Sequence, residues 1–409
     1  MTTLALRAPA PAELVRTRRI WLAAWPVFAV FVLSNAATPL YPLWQQRLGF
    51  SAGTMTVIFA GYIVGLIGAL LVAGVLSDWI GRRPVMLPGL LLALVACALF
   101  MTAGSVPMLV AARVLTGVAV GATVSAGMAA VSDVAGTDRK GAAALASSTA
   151  MVFGAGTGPL LAGLLSQLLP MPTVFVFAVE IGLLVSAGVV VAGLPSAGSK
   201  TGARLRIPFV PQSNRRQLAA GIAVFAPGIT ATSFVLSLGP ALLIELLGAG
   251  NRIVAGAMAF AMFAAATAAQ FAARSLTTRS ILSAGAAATV AAMLALGVAL
   301  VANSLVALVA AAMLAGAGQG LGQLGGLTLL LTAVPETRRA EANSALNIGG
   351  YVPAAALPTA IGYLGDALGL PWSAGLFAAL LGLLALAGAG VARWATRDSR
   401  PMSPGAHAG

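Results

Sequence analysis

The chain has 409 residues, 59% of them hydrophobic and 8% charged, with a mean hydropathy of +0.98; a soluble domain carries roughly a quarter of its residues as charges, so much of this surface has to face lipid. The formal charge of +13 is dispersed over short segments between apolar runs and not gathered in one basic patch, which argues against a nucleic-acid face. The single cysteine, Cys97, lies inside an apolar run and the single histidine, His407, in a polar tail, which excludes a disulfide framework and a cysteine-based metal centre.

A helix needs about 20 apolar residues to cross about 30 Å of hydrocarbon. Runs of that length predict twelve spans: Trp21 to Tyr41, Thr54 to Leu76, Val85 to Gly104, Pro107 to Val131, Ala142 to Leu168, Pro172 to Leu194, Leu218 to Leu243, Ile253 to Ala273, Ile281 to Ala302, Ser304 to Val334, Asn343 to Leu364 and Trp372 to Trp394. Arg16, Arg18 and Arg19 precede the first span as they would a secretory signal. That span is too long for a signal's apolar core and the second follows after a short loop, so a retained helix is expected. It carries Asn35 at membrane depth.

The loop after the second span reads Gly74-Val-Leu-Ser-Asp78-Trp-Ile-Gly81-Arg82-Arg83. Gly74 would let two helices approach, Gly81 permits a sharp turn, and Asp78 can accept hydrogen bonds from the positive end of a helix, the eleventh span beginning on the same side. The fourth span holds Arg113 and the sixth holds Glu180. A charge at the bilayer centre costs at least about 2.5 kcal/mol, so each demands a reason: Arg113 as electrostatic anchor of a cavity with Glu180 as a titratable partner, a buried structural ion pair, or a Glu180 kept neutral against helix backbone. Between them the fifth span contains Gly154, Gly158, Pro159 and Gly163. Pro159 cannot donate to the carbonyl four residues back and so kinks the helix, and the glycines allow tight packing beside it.

Residues 195–217 carry Lys200, Arg204, Arg206, Arg215 and Arg216 and read as a linker. Beyond it, Gln270 on the eighth span, Gln319 and Gln323 on the tenth, and Asn347 and Tyr351 on the eleventh are polar groups at depth. Each is either a substrate contact or an interhelical hydrogen bond of about 0.6 kcal/mol. Tyr41, Trp44, Trp372 and Trp394 fall at span ends, where interfacial anchors are expected.

Counting Lys and Arg by alternate loops gives 20 on one side and two, Arg47 and Arg252, on the other, with Arg113 inside a span. Positive loops stay in the cytoplasm, which places both termini there and supports the count of twelve. The two halves also align. Leu109 to Gly121 matches Leu308 to Gly320 at seven of thirteen positions, with Pro159 and Gly163 against Pro358 and Gly362, Thr137 and Arg139 against Thr337 and Arg339, and Phe31 to Ser34 against Phe234 to Ser237. The expected organisation is a cytoplasmic segment 1–20, a six-helix bundle 21–194, the linker, a second bundle 218–395 and a cytoplasmic tail 396–409. Arg113 stands against Ala312, which argues that the scaffold does not require it.

The loop pattern Gly74 to Arg83 resembles the signature loop of the major facilitator superfamily, and Arg113-xxx-Gly117-xxx-Gly121 resembles its second motif. The resemblance implies an all-α integral membrane fold of twelve transmembrane helices in two pseudo-symmetric bundles, with a cytoplasmic gate formed by Asp78, Arg82, Arg83 and Asp133. The second-half loop, Arg274 to Arg279, keeps only the arginines. The fifth-span pattern is similar to the antiporter motif of the drug:proton antiporter families, departing from it at Leu145 and Ala162. It implies proton-coupled efflux of a small hydrophobic or amphipathic compound by alternating access.

Uptake or exchange of a small organic anion held by Arg113 is the alternative. A membrane enzyme or receptor is remote, since no paired carboxylates, nucleophile or ligand cluster stands out. No cofactor is expected beyond the proton gradient as energy source, and the expected partners are a small-molecule substrate, protons and the lipid bilayer. A monomer in a bacterial inner membrane is expected to suffice.

Overall fold

The computed structural model describes residues 11–194, 214–248, 250–335 and 338–395; Lys200, Arg204, Arg206 and the tail with His407 lie outside the described residues. The described residues are mostly helical and contain no strand, and a helix satisfies within itself the backbone hydrogen bonds that lipid does not offer. Among the described residues twelve long helices are present: α1 (Pro11–Ala36), α3 (Ala52–Ile80), α4 (Arg82–Met101), α5 (Val106–Ala135), α6 (Lys140–Leu168), α7 (Pro172–Ala192), α8 (Arg215–Leu247), α9 (Arg252–Ala273), α10 (Thr278–Ala302), α11 (Leu305–Ala333), α12 (Arg339–Leu368) and α13 (Leu370–Ala395). A short helix, α2 (Tyr41–Leu48), follows α1 after a 3-10 turn at Thr38–Leu40.

Among the described residues, eleven segments are long and apolar enough to cross a membrane on length and composition alone. The helix left out is α12, whose 30 residues include Arg339, Glu341, Asn343 and Asn347. Two details differ from the sequence expectation. The first helix starts at Pro11 and stops at Ala36, short of Tyr41, because Pro39 and Pro42 follow and neither can donate within a helix. Tyr41 and Trp44 are buried, at 0% and 1% exposure, so they are not interfacial anchors; Trp372 and Trp394, at 76% and 52%, are placed as such anchors would be.

Two compact units divide the chain, one covering Met1–Leu40 with Gly61–Leu205 and the other Tyr41–Ala60 with Arg206–Gly409. The start of α3 thus groups with the second unit, where a simple division into 21–194 and 218–395 would put it in the first. Its first turn is fixed to α12: Asp366 accepts hydrogen bonds from the Ala52 and Gly53 amides at 2.9 and 3.0 Å. Glycines let the backbones meet, since a Cβ on Gly53 would strike the Tyr363 ring and one on Gly362 would strike Thr56.

Inside the first unit α1 packs on α5, α6 and α7, and α4 on α5 and α7. Inside the second α8 packs on α11, α12 and α13, and α10 on α11 and α13. Each pair has its counterpart. The aligned glycines do the same job in both: a Cβ on Gly117 would lie 2.1 Å from Tyr62 O on α3, and one on Gly316 2.0 Å from Met262 O on α9. Gly121 and Gly320 repeat the arrangement one turn on, against Leu66 O and Ala266 O.

Candidate functional site

In the first unit, α3 and α5 end side by side and α4 begins beside them. Asp78 and Asp133 lie in or near the last turns of α3 and α5, where the helix dipole is negative, and Arg82 opens α4, where it is positive. Each charge is unfavourable on its own helix, and mutual pairing removes all three conflicts. The Arg82 Nε donates to Asp133 Oδ2 at 3.2 Å, while its Nη1 donates to Asp78 Oδ1 and to Ser77 Oγ. Gly81 turns the chain with φ +99°, a value an L side chain rarely adopts. Arg83 is half-buried and takes no part in these bonds.

Within the first unit, a Cβ on Gly74 would meet nothing within 4 Å.

The glycine and proline run of the fifth span lies in α6, which remains a continuous helix through Pro159. A Cβ on Gly154 would lie 2.6 Å from Phe28 O and one on Gly158 2.0 Å from Val32 O. These glycines therefore seat α6 on α1 at backbone contact. Gly163 is buried one turn further on.

Arg113, fully buried on α5, donates from Nη1 to Ser34 O at 2.7 Å, and its guanidinium carbon lies 5.4 Å from the Tyr62 ring centroid. Ser34 is in the last turn of α1, where carbonyls lack intrahelical amides and the dipole favours a cation. This revises the inference drawn from the repeat. The counterpart of α1 is α8, which runs unbroken past Ser237 to Leu247, so Ala312 faces no interrupted helix. The scaffolds differ where the arginine is present. Asn35, 7% exposed, donates to the Ser34 hydroxyl beside this bond.

Glu180 is 1% exposed and lies on the face of α7 that also buries Val176, Phe177 and Leu184. Phe177 stacks on Phe100 of α4 with centroids 4.8 Å apart; one turn on, Glu180 lies beside Cys97. Its Oε2 meets no hydrogen-bond partner. The pairing of Arg113 with Glu180 is not formed: the guanidinium is directed to the end of α1, and the carboxyl to the seam of α4 and α7.

In the second unit, Gln319 and Gln323 are half-buried on α11, and Gly228 of α8 approaches Gln319 so closely that a Cβ would lie 2.7 Å from its amide nitrogen. Asn347 donates to the Asn343 backbone and side-chain oxygens, both at 2.9 Å, and so is bonded along its own helix. Tyr351 meets Phe225 edge-on with centroids 6.4 Å apart. Gln270 donates to Gly320 O at 2.9 Å, an interhelical tie. Asp366 was not among the expected residues. The available signal was an acid at the end of a span, yet its partners are backbone amides and leave no side-chain pattern to read.

The sequence profile of the Major Facilitator Superfamily matches residues 23–279. The uncharacterized MFS-type transporter YfkF of Bacillus subtilis (strain 168) is 28% identical over 160 residues, 38% of this chain and 40% of that protein. An uncharacterized transporter of Rickettsia felis is 32% identical over 116 residues, 26% of this chain and 28% of that one. The chain thus spans less than half the length of these curated relatives. Among solved structures, the nucleoside transporter NupG superposes with a TM-score of 0.72 at 12% identity, covering 92% of this chain and 99% of NupG. A bacterial homologue of the human lysosomal transporter Spinster gives 0.73 at 12% over 95% and 98%. A POT family transporter in complex with 5-aminolevulinic acid gives 0.73 at 12% over 93% and 96%. At such identities the likeness is one of fold.

Proposed function

The chain belongs to the Major Facilitator Superfamily and is a multi-pass membrane transporter, not an enzyme; from that premise we propose proton-coupled efflux of a small hydrophobic or amphipathic compound by alternating access. The observation that carries the coupling is Glu180. Among the described residues it is the one acid buried within a span, and its Oε2 has no donor. A carboxyl kept in apolar packing at the cost of its hydration is a group on which a transported proton can be carried.

Three further features support the reading. The α6 glycines hold that helix on α1 as a rigid pair. The Asp78, Arg82 and Asp133 cluster joins three helix ends by bonds whose individual worth is about 0–1 kcal/mol, weak enough to break and reform within a cycle. Asn347 and Gln270 are bonded to backbone, which leaves few amides for a polar solute and favours an apolar one. Arg113 is fully buried and commits its Nη1 to the Ser34 carbonyl, which supports a structural role for it over that of an anchor for an organic anion. The charge asymmetry of the loops supports a cytoplasmic side for the cluster and both termini in a bacterial inner membrane, and the presence of both units in one chain supports function as a monomer.

Proteoliposomes with an imposed proton gradient of either sign, screened with drug-like cations, neutral drugs and organic anions, test this. Gradient-dependent movement of an apolar compound is expected, with Glu180→Gln folding normally and losing its dependence on the gradient. Unchanged gradient-driven transport by Glu180→Gln removes Glu180 from the mechanism. Movement of none of the compounds under either gradient overturns the efflux reading.

A further inference from the structure

An apolar groove of about 280 Å³ lies within the second unit, floored by α8 and walled by α12 and α13. Ile222 and Pro227, Pro353 and Leu357, and Leu384 and Val391 line it from the three helices. Small residues make the space. Gly388 sits so near α8 that a Cβ would lie 2.0 Å from Ala223 O, and Ala226 and Ala387 extend the same low surface. Leu384 and Val391 are themselves 42% and 37% exposed, so the groove opens to the outside of the chain. Between Leu381 and Val391 it follows α13 for about 15 Å at 1.5 Å per residue.

One end of this groove is strongly basic. Trp394 lies one turn past Val391 on the groove face of α13, with Arg393 beside it off that face, and Arg215 and Arg216 open α8 on its groove face about two turns before Ile222. All four side chains are exposed. The Arg216 guanidinium lies 4.8 Å over the Trp394 ring, which holds the two helix ends together. The first turn of α8 contains no acid and its N-cap residue makes no side-chain capping bond, so the positive end of that helix adds to the arginines. The opposing dipole at the end of α13 is answered by Arg393. Trp394 has the amphipathic character of a residue at headgroup level.

We propose that this is a binding site for an anionic diacyl phospholipid, its phosphate on Arg215 and Arg216 and one acyl chain in the groove. Charge and shape together select the occupant: a long apolar channel that begins at two exposed cations at a membrane interface fits an amphiphile with an anionic head. A lipid held there ties α8, α12 and α13 at one end, whichever solute the protein moves. Each arginine near an anionic surface strengthens binding about fivefold.

The test follows thermal unfolding of the full-length protein in detergent during titration with phosphatidylglycerol, phosphatidylcholine of the same chains, or inorganic phosphate. Wild type is expected to be stabilised saturably by phosphatidylglycerol and less by the other two. The double variant Arg215→Gln with Arg216→Gln should need more than about tenfold more phosphatidylglycerol for the same shift. Ala387→Phe, an exposed position that fills the groove, should keep the lipid-free midpoint and lose the phosphatidylglycerol shift. Equal stabilisation by both lipids in wild type overturns the proposal, as does a phosphate effect equal to that of phosphatidylglycerol, or an undiminished shift in Ala387→Phe. Should the double variant fail to fold, the headgroup comparison in wild type and the Ala387→Phe arm still decide.

Discussion

Arg113 donates to the backbone where α1 stops, and Tyr62 covers its face. Truncating it would leave the Ser34 carbonyl buried without this donor and open a cavity the size of a guanidinium. Those two losses together amount to about 2–4 kcal/mol. Arg113→Ala should therefore lower the thermal unfolding midpoint of the detergent-purified protein, and Arg113→Lys should recover part of it, keeping the charge but not the planar fit over the ring. An unchanged midpoint with transport abolished would instead make Arg113 a substrate anchor. The sequence exposed this arginine by its charge in an apolar run, but not its purpose. That depended on α1 breaking at Ala37, for which Pro39 and Pro42 were the only signal; apolar residues continue through the break, so hydropathy alone runs past it.

At the level of helices, length and hydropathy located every long element to within a few residues, save α1, which runs from Pro11 to Ala36 where Trp21 to Tyr41 was expected. What they could not locate was α2, too short to register as a span, and the attachment of the α3 start. Asp366 supplies both carboxylate oxygens to the Ala52 and Gly53 amides, satisfying two of the four orphan donors of that helix. A carboxylate cap contributes about 1 kcal/mol, or about fivefold in an opening equilibrium. α3 begins in one compact unit and ends in the other, and loss of this cap should loosen its first turn. Asp366→Ala should raise the rate at which Thr56→Cys is alkylated by an impermeant maleimide severalfold, in a Cys97→Ala background, with Asp366→Asn intermediate. Equal rates in all three would show that the glycine contacts at Gly53 and Gly362 hold the turn without the carboxylate.

For the whole chain, the repeat was legible because small residues at fixed spacing are what close helix packing requires in lipid, and the aligned glycines of α5 and α11 meet backbone in both units. The packing partners of α1, α4 and α5 recur for α8, α10 and α11, so duplicated geometry underlies the duplicated sequence. Orientation is a separate matter, written in the loops: 20 basic residues against two. Membrane insertion reads such a bias as topology, which yields a prediction independent of any substrate. A reporter enzyme active only outside the cytoplasm should be active when fused after Gly104, between α4 and α5, and inactive when fused after Gly202 in the linker. The reverse pattern would place the Asp78, Arg82 and Asp133 cluster at the outer face. A proton-driven efflux cycle with that cluster as its inner gate would then have to be abandoned, while the two-unit fold would stand.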